Sequence, residues 1–239
     1  MEAIFWWVIF PYLCGATLIL GTLYRFVYGK MGWVAPSTEF LEKKRWLRLG
    51  SHLFHWGIIF AFIGHVMGIL IPKRVYDFFG ITEHMYHVFA IFGGSIAGLM
   101  VVIGLIILLY RKWSITRLRV HATFSDYYAI ILLLIVAGIG TYMTLIYNTT
   151  VVAYEYRTTI GPWFRSLLTF RPQYELMTGV PFLFQLHVIT SFVLFASIPF
   201  TKLVHMFSFP GRYPARAPMQ YRSRDGYSQN KRLKTTVKE

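Results

Sequence analysis

The sequence predicts an all-α membrane protein, a bundle of five transmembrane helices, and three observations lead to it. The 239 residues are 56% hydrophobic and only 14% charged, too apolar and too charge-poor for an ordinary water-soluble domain. The apolar residues fall in five blocks of roughly the 20 residues that carry a helix across a bilayer. The 24 Lys and Arg gather between those blocks instead of along one patch, so the net charge of +14 does not point to nucleic acid.

The blocks are placed at 4–24, 51–71, 88–110, 126–147 and 181–203, within one domain over 1–210 that is followed by a basic tail at 211–239. The first begins almost at Met1, without a basic leader or a small-residue cleavage pattern, and is expected to be a retained span. Its Cys14 is the single cysteine of the sequence, which leaves no intrachain disulfide and no thiolate cluster. Lys and Arg number six in 25–50, two in 72–87, four in 111–125, three in 148–180 and nine from Lys202 onward. Cytoplasmic segments retain positive charge, so the N-terminus is expected outside and the C-terminus in the cytoplasm.

Trp6, Trp7, Tyr24, Phe26, Trp113, Tyr127 and Tyr128 mark block ends, where aromatic rings anchor at headgroups. Between the fourth and fifth blocks, Trp163, Phe164, Leu167, Leu168 and Phe170 alternate with Arg157, Arg165 and Arg171. That stretch reads as a short helix lying on the membrane surface. The tail, with Pro214, Pro218 and its basic residues, reads as a segment that docks on a partner or anionic lipid, or stays disordered.

The chemistry lies in four histidines. His55 and His65 fall in the second block, and His187 and His205 in or at the end of the fifth. An ionisable group at membrane depth is costly and marks a functional site. Neutral imidazole is a standard axial ligand of haem iron, and two can hold it from opposite sides. With the second block running outward and the fifth inward, matching by depth pairs His65 with His187 and His55 with His205. The spacing is unequal. At about 1.5 Å per residue, ten residues separate one pair of positions by roughly 15 Å and eighteen the other by roughly 27 Å. Helix tilt, side-chain direction and a kink at Pro199 are the available remedies. At about 100° per residue His187 and His205 share a helix face while His55 and His65 are roughly 80° apart.

The competing use of such histidines is interhelical hydrogen bonding. Four in two antiparallel blocks, two near each surface, favour ligation. His52, one turn before His55, ranks second at the inner site. His84, His87 and His121 lie outside or at the edge of the blocks and read as surface histidines. Gly57, Gly64, Gly68, Gly93, Gly94, Ala97 and Gly98 allow close approach of backbones or of a macrocycle.

These residues resemble the gamma (cytochrome b) subunit family of membrane-bound respiratory nitrate reductases. The resemblance runs through Pro11–Tyr12, the basic Arg25–Lys30 segment, Leu53–His55, Gly64–His65 and GITEHMYH at Gly80–His87. It continues through YRTTIGPWFR at Tyr156–Arg165, Leu186–His187 and KLVHMFSFP at Lys202–Pro210. It covers residues 4 to 212, and the long loop with RTTIGPWFR is similar to that of Gram-positive members. What it implies is a five-span bundle in a bacterial cell membrane with two b-type haems. His55 and His205 would be axial on the inner iron, and His65 and His187 on the outer. It further implies oxidation of menaquinol or another quinol near the outer haem, with proton release outside. Electrons would pass inward to an iron–sulfur beta subunit and a molybdenum alpha subunit that reduces nitrate. Charge would thereby be separated against the membrane potential.

A quinol needs an apolar slot and groups that accept its hydroxyl protons. Lys73, Tyr76, Glu83, His84 and Tyr86 in the second outer segment are the candidates, with His65 as a further hydrogen-bond partner. Two other readings share the sequence features. One is the same two-haem module in another respiratory oxidoreductase. The other is a haem-free bundle with structural or proton-relay histidines.

Overall fold

The computed structural model describes residues 1–28, 44–150 and 154–207, and all regular structure within them is helical. Five helices are long and apolar enough to cross a membrane: Glu2–Tyr28, Arg45–Leu70, Glu83–Ser114, Phe124–Thr150 and Phe182–Phe200. The predicted tail at 211–239 and most of the basic 25–50 gap lie outside the described residues.

The first four spans start earlier than the apolar blocks do, and in the third and fourth a polar cap builds the first turn. The third opens where the Thr82 hydroxyl accepts from the Met85 N–H at 3.3 Å. The fourth opens on a capping box between Thr123 and Asp126, which satisfies two orphan N–H groups reciprocally. His84 and His87 therefore sit in the first turns of the third span instead of before it. The fifth span stops early. Its α-helix ends at Ser197, a 3-10 turn runs over Ile198–Phe200, and Thr201 is extended at φ −120° and ψ 175°. A new 3-10 segment then starts at Lys202.

The spans pack second on third, third on fourth, fourth on fifth and fifth on first. Among the described residues no seam of comparable extent joins the second to the fifth. The tightest seam is glycine-built. A Cβ on Gly57 would meet the Val101 amide at 2.8 Å, and one on Gly104 would meet the Phe54 amide at 2.6 Å. Missing side chains let these two backbones touch.

One end of the bundle is closed by the helix Ile160–Leu168, within the stretch expected to form a short surface helix. Ile160, Gly161, Trp163, Ser166 and Leu167 are buried, and Trp163 is fully so. Trp163 packs with Trp7, Met143, Met177, Val180 and Phe184, and its indole Nε1 donates to the Trp7 carbonyl at 3.0 Å. Its buried side meets the ends of the first, second, fourth and fifth spans, so it plugs that end of the bundle. Residues Met1–His205 form one compact unit.

Candidate functional site

The four membrane-depth histidines come together in two pairs. The His65 and His187 rings have centroids 6.1 Å apart and planes 23° apart. His55 and His205 are 6.4 Å apart, with planes at 63°. The first pair lies toward the plugged end, since the turn after His65 packs on the Ile160–Leu168 helix. The second lies at the other end, where the fifth span has broken.

That break resolves the unequal spacing. His205 is not on the helix that carries His187, so the two need not share a face, and the distance between them along the chain is not helical rise. The interruption spans Ser197–Thr201, broader than a kink at Pro199. His55 and His65, by contrast, belong to one uninterrupted α-helical stretch, Lys44–His65.

The imidazoles are set in one tautomer. Nδ1 of His55 donates to the Ser51 carbonyl at 2.7 Å, Nδ1 of His65 to that of Ala61 at 2.6 Å, and Nδ1 of His205 to that of Lys202 at 2.5 Å. A ring that donates from Nδ1 keeps its lone pair on Nε2, ready for a metal. His187 differs. Its Nδ1 is buried without a hydrogen-bond partner among the described residues. Its ring rests against Gly140, where a Cβ would meet Cε1 at 3.0 Å.

These separations and donors fit haem. Two imidazoles bound to one metal from opposite sides, each at about 2 Å, hold their centroids about 6 Å apart. A bare ion needs three or four protein ligands, and among the described residues neither pair has a third. Among the described residues the one cluster of three or more metal-ligating side chains is Glu83, His87 and Glu155. Each pair therefore suits a metal that brings its own equatorial ligands. His52 donates from Nδ1 to the Arg48 carbonyl at 2.6 Å, and no second imidazole faces it among the described residues. His121 is exposed.

The five quinol-site candidates differ in burial and in partners. Lys73 pairs with Asp77 at 3.4 Å, and Glu83 and His84 are exposed. Tyr76 and Tyr86 are buried edge to face, 5.1 Å apart. The Tyr76 hydroxyl donates to the Met67 carbonyl at 2.8 Å, and that of Tyr86 lies 3.0 Å from the Tyr156 hydroxyl. Burial raises the pKa of Tyr76 and of Tyr156.

Residues not picked out as quinol-site candidates in the sequence complete this cluster. Arg157 lies 3.7 Å above the Tyr86 ring and forms a two-pronged ion pair with Glu155 at 2.6 and 2.7 Å. Burial works to raise the Glu155 pKa, but hydrogen bonds with Arg157 and Glu83 outweigh it and carry the value down to about 2. His87 Nε2 is 3.6 Å from Glu155. The signal was present as an acid two residues before an arginine inside an apolar loop. Its partners, however, are distant in sequence. Gly68 seats the two hydroxyls, for a Cβ there would meet Tyr156 Oη at 2.7 Å and Tyr86 Oη at 2.9 Å.

Residues 3–224 match the model of the family described as nitrate reductase gamma subunit. The chain is 45% identical to the nitrate reductase gamma chain of Bacillus subtilis, over 91% of this chain and 97% of that one. It is 31% identical to the respiratory nitrate reductase 1 gamma chain of Escherichia coli, over 92% and 97% of the two chains. A more distant likeness, 28% over 67% of this chain and 47% of the other, is to an Hdr-like menaquinol oxidoreductase cytochrome b-like subunit of Archaeoglobus fulgidus.

Proposed function

Because this chain belongs to the nitrate reductase gamma subunit family, we propose that it is the two-haem subunit that oxidises quinol for a respiratory nitrate reductase. It is a multi-pass bacterial membrane protein and a subunit of an oxidoreductase complex. The observation that carries the proposal is the pair of opposed imidazole sets, 6.1 and 6.4 Å between centroids, near the two ends of the bundle.

His65 and His187 would hold the outer haem and His55 and His205 the inner one. When bound, the haems supply one-electron transfer from menaquinol or another quinol to the iron–sulfur and molybdenum subunits on the cytoplasmic side, where nitrate is reduced. The protein's part is orientation. Backbone carbonyls fix three ring tautomers, and a glycine seats the fourth ring. The N-terminus is assigned outside and the C-terminus to the cytoplasm from the charge between the spans. A quinol oxidised at the outer end releases two protons there. The Tyr76 and Tyr86 hydroxyls are already engaged, whereas Glu83 and His84 are exposed, which makes them the acceptors within reach of water.

The test is the reduced-minus-oxidised absorption spectrum of the purified complex, with a haem-to-protein ratio, followed by reduction with a soluble menaquinol analogue. Two b-type haems per chain, both reduced by the quinol, are the expected result. A folded chain without haem, or haems that quinol leaves oxidised, overturns the proposal.

A further inference from the structure

The inner end of the bundle holds an ionic knot that the four ligands do not explain. Asp126, in the first turn of the fourth span, has a side chain only 4% exposed. Its Oδ1 meets Lys202 Nζ at 2.7 Å and its Oδ2 meets Lys112 Nζ at 3.1 Å. Oδ2 also accepts from the Thr123 N–H at 3.2 Å. Lys112 lies in the last turn of the third span, and Lys202 opens the short segment that bears His205. The Lys202 carbonyl is the acceptor that sets the His205 ring.

The broken stretch is held from two further sides. Arg25 Nη1 donates to the Pro199 and Thr201 carbonyls at 2.8 and 3.0 Å. The Ser125 hydroxyl donates to the Phe200 carbonyl at 3.4 Å. Helix ends leave carbonyls without partners, and here the first and fourth spans supply the donors. A buried ion pair contributes little net stability, because desolvation offsets attraction; its best-attested use is to fix one arrangement among several. What needs fixing is plain. With the fifth span interrupted at Thr201 and resumed as a short 3-10 segment, no continuous α-helical ladder sets the height of His205.

We propose that Asp126 is a positioning residue for the inner haem, acting through Lys202 to set the height and direction at which His205 faces His55. The proposal rests on the two-haem reading above. Lys112 completes the charge balance on the carboxylate, while Lys202 transmits the position.

The experiment compares Asp126→Asn, Asp126→Glu, Lys202→Gln and Lys112→Gln in the intact complex, by haem release and by the low-spin electron paramagnetic resonance signal of each haem. In Asp126→Asn and Lys202→Gln, release of the inner haem is expected to be roughly ten-fold faster, the magnitude typical of losing an outer-shell partner of a metal ligand. Its resonance should broaden while the outer signal holds. Asp126→Glu should restore both, and Lys112→Gln should leave the inner signal sharp. Inner and outer haems disturbed alike would mark a general packing role and overturn the proposal, as would an unchanged inner signal with both haems present. If Asp126→Asn fails to accumulate, Lys202→Gln decides, since it leaves Asp126 with Lys112 and its cap. Absence of two haems in the unsubstituted chain would instead overturn the functional reading itself.

Discussion

The imidazole of His65, on the second span, lies 6.1 Å from that of His187 on the fifth, with the ring planes 23° from parallel. If one iron sits between them, removing either ring removes the same cofactor. His65→Ala and His187→Ala should each abolish one and the same haem and spare the other, and His55→Ala and His205→Ala should abolish the second. Spectral titration of the four variants checks this. Loss of different haems from His65→Ala and His187→Ala would break the pairing.

The two pairs differ in ring angle, 23° against 63°. Near-parallel imidazoles lift the degeneracy of the iron orbitals that point between the rings, while steeply crossed ones leave it almost intact. The haem lost in His65→Ala should therefore carry the more rhombic low-spin signal, and the haem lost in His55→Ala the more axial one. Frozen-solution spectra of the oxidised variants decide it.

Gly140 seats the His187 ring, and even a Cβ there would crowd the ring at 3.0 Å. Gly140→Val should weaken binding of the outer haem about ten-fold and leave the inner one in place. At Gly138, two residues away, a Cβ would meet nothing within 4 Å, so Gly138→Val serves as the control. Haem occupancy of the purified variants is the measurement.

The Glu155 ion pair carries a pH signature. Its folded-state value, about 2, lies below the ordinary 4.5. Its contribution is therefore complete above about pH 4.5 and is lost as the pH falls toward 2. In thermal melts, Glu155→Gln should be less stable than the unsubstituted chain above that window. The gap between the two should close on acidification. A gap that persists at the acid end would contradict the assignment.

Trp163 is fully buried and holds its indole N–H on Trp7. Trp163→Ala should destabilise the plugged end by about 3–5 kcal/mol, the range for deleting a large buried ring. A lowered melting temperature and faster amide exchange over Ile160–Leu168 are the expected readouts.

Much of this was legible in the residues. Apolar length shows five spans, since a bilayer imposes a fixed crossing distance, and the depth of each histidine shows which ring meets which. The ends of the spans were less legible. Thr82 and Thr123 extend helices through hydrogen bonds that an apolar count does not register. The break at Thr201 was read as a kink at Pro199, because local pattern does not reveal that Arg25, 174 residues before Pro199, takes a carbonyl there. The Glu155–Arg157–Tyr86 cluster and the seat at Gly140 escaped for the same reason. Their partners sit on other spans, and one sequence carries no record of which faces meet.

The indole of Trp163 and the carbonyl of Trp7 are 156 residues apart in the chain. During synthesis the first helix enters the membrane long before its anchor exists. It must wait there, laterally free, until the fourth helix has been threaded and the plug arrives from the ribosome. The fold is thus fastened last at its beginning, and a chain truncated before Ile160 would leave its first helix untethered at that end however well the middle had packed.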